Sequence, residues 1–256
     1  MKSENRPTEF VLIGQPRTGT TYVMMLLNSH GDIFCENELF NPFGIVRAKA
    51  KQSNHSEQAL IEREKDPIHF YDTFYNSDIK EKYKCIGFNF MLGHNYKILQ
   101  HIINDNKKII YVYRKNKVAQ YLSETKAIAS KQWATVKDDV ARKEQLNQID
   151  FLPRSYLLRS SQLASLDMLF RDYVLNAIKT PVLQLEYTEL FHENISHTLC
   201  NFLDVPYRQM ISRLKKQGND IIAERISNFD KPFVNRFLKK VIDPEWLDSE
   251  LMKGGD

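Results

Sequence analysis

A chain of 256 residues is long enough for one α/β domain with a sizeable core, or at most a core plus an elaboration. Hydrophobic (42%) and charged (27%) shares are ordinary for a soluble globular protein, and a net charge of +4 is too small to argue for a nucleic-acid partner. Three scattered cysteines, Cys35, Cys85 and Cys200, fit neither a disulfide framework nor a zinc site; they are expected as thiols in a reducing compartment.

The residues ahead of the first strand leave no room for a secretory leader, and no apolar run approaches the length of a membrane span. A cytoplasmic enzyme with no integral membrane segment is therefore expected. Phe10 to Ile13 is an apolar, β-rich run that breaks at Gly14. A short loop punctuated by Pro16 and Gly19 follows, and a helical pattern begins near Thr20. Strand, loop and helix in that order form an anion site, because backbone N–H groups converge where the positive end of the helix adds its field. The spacing Gly14-x4-Gly19 matches the nucleotide P-loop except that Thr20 stands in the lysine position, with Thr21 after it. The cation sits inside the loop instead, as Arg17. Such a loop holds a phosphate-like anion, but not in the ATP–magnesium manner.

Pro16-Arg17-Thr18-Gly19-Thr20-Thr21-Tyr22 resembles the 5′-phosphosulfate loop of sulfotransferases that use 3′-phosphoadenosine 5′-phosphosulfate (PAPS), most closely the bacterial carbohydrate enzymes of the nodulation-factor and trehalose types. The resemblance implies an α/β fold, a P-loop-like parallel sheet flanked by helices on both faces. It also implies PAPS as sulfuryl donor, an alcohol acceptor on a glycan or glycolipid, and no required metal. Arg17, Thr18, Gly19, Thr20, Thr21 and Tyr22 become candidate donor-binding residues.

The first helix, apolar over most of its surface, stops at Asn28-Ser29-His30-Gly31. Residues 32–44 carry Glu36 and Glu38 in a stretch read as loop or strand near the phosphate loop. Bacterial carbohydrate sulfotransferases place an acidic residue about twenty positions after the loop arginine, and Glu38 is the matching residue. It is the candidate general base, with Glu36 as fallback. Residues 45–84 read as an insertion over the carboxyl edge of the sheet, whose aromatics either form a substrate wall or pack the insertion down.

Cys85–Met91 reads as a second buried strand, with Asn89 near the position where related enzymes often carry lysine. His94, just past its end, is a second base candidate. Lys108–Tyr113 is a third strand; it ends at Arg114 and passes into a helix from Asn116 to about Ser130. Arg114 at the strand end and Ser123 nine positions later can hold one phosphate, the arginine by charge-assisted bonds and the serine by its hydroxyl. That pair, continued by Trp133, resembles the 3′-phosphate site of the same enzymes.

Tyr156, Leu157, Leu163, Leu166, Leu169, Phe170, Tyr173 and Val174 recur at helical spacing and predict one long amphipathic helix from Ser155 to about Ile178. Pro181–Tyr187 is a fourth strand, followed by a helix from Thr188 to Leu203. Lys216 and Gln217, with Asn228-Phe229 eleven residues on, resemble the cofactor-covering segment of the nodulation enzymes. The absence of linker, repeat and low-complexity block predicts a single domain over 1–256, of open oligomeric state. Two rivals stand beside the sulfotransferase reading: a P-loop kinase or NTPase, and a non-catalytic protein that kept the PAPS fold.

Overall fold

A computed structural model describes residues 6–131, 133, 148–214 and 222–242. Along the chain run β1 (Thr8–Gly14), α1 (Thr20–Ser29), β2 (Ile33–Glu36), α2 (Glu57–Lys65), α3 (Pro67–Tyr75), β3 (Cys85–Met91), α4 (Tyr96–Asn104) and β4 (Lys108–Tyr113). Then come α5 (Lys117–Ser130), α6 (Pro153–Met168), a π-helical turn (Leu169–Val174), α7 (Leu175–Ala177), β5 (Val182–Glu186), α8 (Ile195–Leu203) and α9 (Pro232–Val241). The chain divides into two compact units: Met1–Tyr113 with Leu169–Ser212, and Arg114–Met168 with Arg213–Asp256.

The first unit holds a five-stranded, all-parallel sheet in the order β2-β3-β1-β4-β5. Both faces are covered, which is why four of its strands read as apolar runs rather than as alternating patterns. Phe10 and Leu12 of β1 face α1 and α8, together with Val23, Leu27, Leu199 and Leu203. Val11 and Ile13 face the other way, onto α3 and α4, with Tyr71, Phe74, Ile98 and Ile102. All three cysteines are buried thiols in the core on the α1 side.

The short edge strand β2 accounts for part of the stretch read as loop or strand. The aromatics of residues 45–84 pack that segment down. Tyr71, Phe74 and Tyr75 are buried against Phe88, and the Tyr75 hydroxyl donates to the Phe10 carbonyl at 2.6 Å.

Two predicted helices differ from expectation. The expected helix from Thr188 to Leu203 is divided: a 3-10 turn (Tyr187–Phe191) closes under a capping box of Glu186 and Glu189, and α8 starts afresh at Ile195. The long helix expected over 155–178 starts at Pro153 and loses its α pitch at Leu169. Its apolar stripe is also narrower than predicted. Tyr156, Leu163 and Phe170 are buried, whereas Leu157, Leu166, Leu169 and Tyr173 are exposed.

The second unit has its own small core, built by Val118 and Leu122 of α5, Phe151, Tyr156 of α6, and Val234 and Leu238 of α9. Within it Arg159 grips the Glu124 carboxylate with two nitrogens, at 2.7 and 2.8 Å, tying α6 to α5. Among the described residues no helix is long and apolar enough to cross a membrane.

Candidate active site

The strand order puts β1 between β3 and β4, and ligands of such sheets lie beyond the carboxyl ends of the strands where the winding direction reverses. The loop between β1 and α1 lies at that edge. Arg17 adopts a left-handed conformation at φ 67°, and Gly19 follows at φ 100° as the N-cap of α1. The Thr18 hydroxyl donates to the Gln15 carbonyl at 2.8 Å and pins the turn from within. The loop is tight around its glycines: a Cβ on Gly14 would stand 2.5 Å from Thr20 Cγ2 and 2.9 Å from the Val112 carbonyl oxygen.

The start of α1 suits an anion. Its first N–H groups have no carbonyl in a preceding turn to receive them. Among the described residues no side chain caps this end and no carboxylate stands in the first turn, whereas Ser56, Asp66, Asn95 and Asn116 cap α2, α3, α4 and α5. A phosphosulfate group therefore fits these residues chemically: N–H donors at a helix start, the Arg17 guanidinium in the loop, and, among the described residues, no carboxylate in the first turn. Thr20 is buried, with its hydroxyl 4.0 Å from Met91 Sδ; Thr21 and Tyr22 are half-buried, and Tyr22 packs against Phe191 with ring centroids 5.1 Å apart. Burial and the neighbouring Tyr187 push the Tyr22 phenol up.

The next loop over comes from β3. Gly14 is in register with Met91, and the Leu92 N–H donates to the Gly14 carbonyl at 2.9 Å, so the chain after β3 starts beside the β1–α1 loop. The chain after β2 leaves from the next strand along, since β2 pairs with β3. These two loops bring Glu38 and His94 together, with Oε2 and Nε2 separated by 3.9 Å. That is too long for a hydrogen bond.

Each group is tuned by its surroundings. Burial raises Glu38 above the usual carboxylate range, partly offset by Asn41, whose Nδ2 donates to Oε2 at 2.7 Å. Burial pushes His94 down to about 4, with the Arg63 cation adding to the effect. At neutral pH His94 is therefore an uncharged imidazole, and the pair is not an ion pair. Of the two, Glu38 is the stronger proton acceptor. Glu36 is spent on structure: one oxygen accepts from Arg47 Nη1 at 3.2 Å, and the other from the Asn37 and Ala48 N–H groups.

Two contributors gave no signal in the sequence. Arg63, on a polar helix, is almost wholly buried, and its Nη1 donates to the carbonyls of Leu39 and Asn41 at 2.9 Å each. It thereby fixes the turn that carries Glu38. Asn41 is the second, holding the Glu38 carboxylate directly. Asn89 is fully buried, and neither its Oδ1 nor its Nδ2 has a hydrogen-bond partner among the described residues.

Arg114 and Ser123 belong to the second unit, and both are buried. Arg114 opens that unit directly after β4, where its carbonyl accepts from Lys117 Nζ at 2.7 Å. Ser123 lies on α5, whose first turn is capped by Asn116 accepting the Ala119 N–H at 2.8 Å. Trp133 is exposed. Lys216 and Gln217 lie outside the described residues. Among the described residues no three or more His, Cys, Asp or Glu side chains gather as a metal site.

Two solved structures align over nearly the whole chain, each with a TM-score of 0.46. One is a sulfotransferase from Alicyclobacillus acidocaldarius, 14% identical, covering 92% of this chain and 96% of that one. The other is the sulfotransferase domain of the Synechococcus PCC 7002 olefin synthase, 16% identical, covering 94% and 91%. A 56-residue stretch is 38% identical to Nodulation protein H of Rhizobium tropici, and this match spans 22% of this chain and 22% of that relative. The family model described as "Sulfotransferase family" matches residues 9–224. That match runs from the first strand past the last strand of the sheet, and the chain belongs to the sulfotransferase family.

Proposed function

We propose that this enzyme moves the sulfuryl group of PAPS onto a hydroxyl of a carbohydrate acceptor. The observation that carries the reading is the Glu38–His94 pair, seated on the two loops next to the Arg17 loop at one edge of one sheet. A proton acceptor and an anion-binding helix start in that relation suit in-line transfer between oxygens.

Bound, the donor supplies an activated sulfuryl group and a phosphate leaving group. Arg17 and the first N–H groups of α1 hold its phosphosulfate and stabilise negative charge on the bridging oxygen as the S–O bond breaks. Glu38 takes the proton of the acceptor hydroxyl while that oxygen bonds to sulfur, and adenosine 3′,5′-bisphosphate departs. His94, uncharged, orients the acceptor hydroxyl. Arg114 and Ser123 take the 3′-phosphate, an assignment supported by their order and spacing in the sequence and by their resemblance to that site. Lys216 and Gln217 join the donor-binding set on resemblance alone. The carbohydrate acceptor is supported by the motif resemblance and by the short match to Nodulation protein H.

Labelled PAPS offered with a panel of oligosaccharides and glycolipids tests the reading directly. Arg17→Ala is expected to lower turnover by roughly 10²–10³. Thermal shifts with adenosine 3′,5′-bisphosphate should exceed those with ATP and magnesium. The opposite order would return the site to a P-loop kinase or NTPase, and tight PAPS binding without transfer to any acceptor would mark a non-catalytic binder.

A further inference from the structure

Arg114, Lys115 and Lys117 bring three cations to the start of α5, and among the described residues no carboxylate stands in its first turn. That end of a helix carries partial positive charge, so local preference runs against the arrangement. A place where the chain departs from its own local rules asks for a compensating contact.

For Lys117 the contact comes from α6. Its ammonium pairs with Asp167, and the same Nζ donates to the Arg114 carbonyl at 2.7 Å and to Gln120 Oε1 at 3.2 Å. Three donor protons thus meet three acceptors, one of which is the backbone of Arg114. Seven residues on, two helical turns along the same face, Glu124 takes two nitrogens of Arg159 at 2.7 and 2.8 Å. Arg159 and Asp167 stand eight apart on α6, so α5 and α6 run antiparallel and meet at two ion pairs, each with its carboxylate buried. The polarity alternates: α5 supplies the cation to the first pair and the anion to the second. A slide of two turns would set Glu124 against Asp167, so the two pairs admit one register. The first pair is bonded to the Arg114 peptide, and the second holds the residue next to Ser123. All of these residues belong to the second unit.

We infer that Lys117 is a positioning residue for the donor's 3′-phosphate: with Asp167 as its counter-ion on α6, it fixes the Arg114 peptide, and so the root of the guanidinium, at the head of the helix that carries Ser123. The direction in which a side chain leaves its Cα is set by the peptide planes on either side, and the Arg114 carbonyl lies in one of them. Holding that plane leaves less freedom to be lost when the guanidinium clasps a phosphate. This inference rests on the proposed 3′-phosphate role of Arg114 and Ser123, and the experiment keeps the two apart.

The test reads, by calorimetry on the full chain, the ratio of affinities for adenosine 3′,5′-bisphosphate and adenosine 5′-phosphate, which differ only in the 3′-phosphate. A single change in the pair strands a charge in the interior, whereas removal of both members is commonly tolerated, so the informative variant is Lys117→Met/Asp167→Leu. It should keep a cooperative melt, bind the bisphosphate about tenfold more weakly and bind the monophosphate as the parent does. Lys117→Gln/Asp167→Asn, closer in shape, reads the same ratio should the first variant fail to fold. Asp167→Glu, which keeps the pair, should retain the parent's ratio. An unchanged ratio in the double variants overturns the positioning role, and so does equal weakening of both nucleotides, the mark of a general loosening. Arg114→Ala examines the reading underneath. If it keeps the parent's preference for the bisphosphate, the 3′-phosphate assignment falls; if it loses that preference while the double variants do not, only the role of Lys117 falls.

Discussion

His94 Nε2 stands 3.9 Å from Glu38 Oε2, and burial drives the proton affinities of the two groups in opposite directions. The carboxylate becomes a better base and the imidazole a poorer one. In the proposed transfer, two groups pushed apart in this way would divide proton acceptance and orientation between them.

Glu38→Gln separates chemistry from folding. Turnover should fall by roughly 10²–10⁴, while affinity for adenosine 3′,5′-bisphosphate is kept. Stability should move the other way. A carboxyl whose affinity is raised in the folded chain weakens folding once it is ionised, so the penalty is absent at low pH and present at neutral pH. The variant should melt higher than the parent at pH 7–8, by ~2–4 °C for each kcal/mol relieved, and should match it at acid pH. Normal turnover in the variant would pass the role of base to His94.

The pH dependence of stability carries a separate sign for His94. Its folded-state value of about 4 lies below the ordinary 6.5, so between those values the unfolded chain binds a proton that the folded chain refuses. Stability should therefore fall as the pH drops through that window, by at most about 3 kcal/mol from this group. Denaturant titrations at pH 7, 5.5 and 4 should show the decline, and His94→Asn should flatten it.

Arg63 touches neither Glu38 nor His94 within hydrogen-bond distance, yet it supports both. Arg63→Met would leave the Leu39 carbonyl without its donor, at about 1–3 kcal/mol, and would take from the Asn41 carbonyl one of two, the Gly44 N–H remaining. It would also remove the cation that helps depress His94. NMR titration of His94 should then show an upward shift, a readout that simple loss of packing would not produce in that direction. Turnover should fall with it, because the Asn41 turn no longer presents Glu38.

Gly14→Ala tests the phosphate loop by crowding it. The new methyl would press on Thr20 Cγ2, Thr18 Oγ1 and the Val112 carbonyl, the last of which is backbone and cannot swing away. Overpacking of this kind costs about 1–3 kcal/mol. Calorimetry should show weaker binding of adenosine 3′,5′-bisphosphate, and Tm should fall with it.

Four of the five strands were legible because burial on both faces writes them as apolar runs; β2, four residues at the edge, carries no such signature. The turn from β1 into α1 was legible too, since its glycine spacing is local. The Glu38–His94 pairing was not. Each residue could be picked out alone, but their meeting depends on β2 lying next to β3, and strand order is not written in either segment. Arg63 was missed for a similar reason: an arginine on a polar helix looks solvated until the turn it grips is in place. The broken helix before Ile195 follows from the Glu186–Glu189 cap, whose geometry overrode an unbroken apolar rhythm.

All three sulfhydryls are buried in one core layer that α1 and α8 share, and burial leaves Cys35 and Cys85 as reluctant nucleophiles, the latter pushed up to about 11. Maleimide should therefore find nothing to label in the native enzyme. The rate at which it reacts as the core opens becomes a clock for how often that layer parts, and a nucleotide bound at the start of α1, as proposed, should slow the clock.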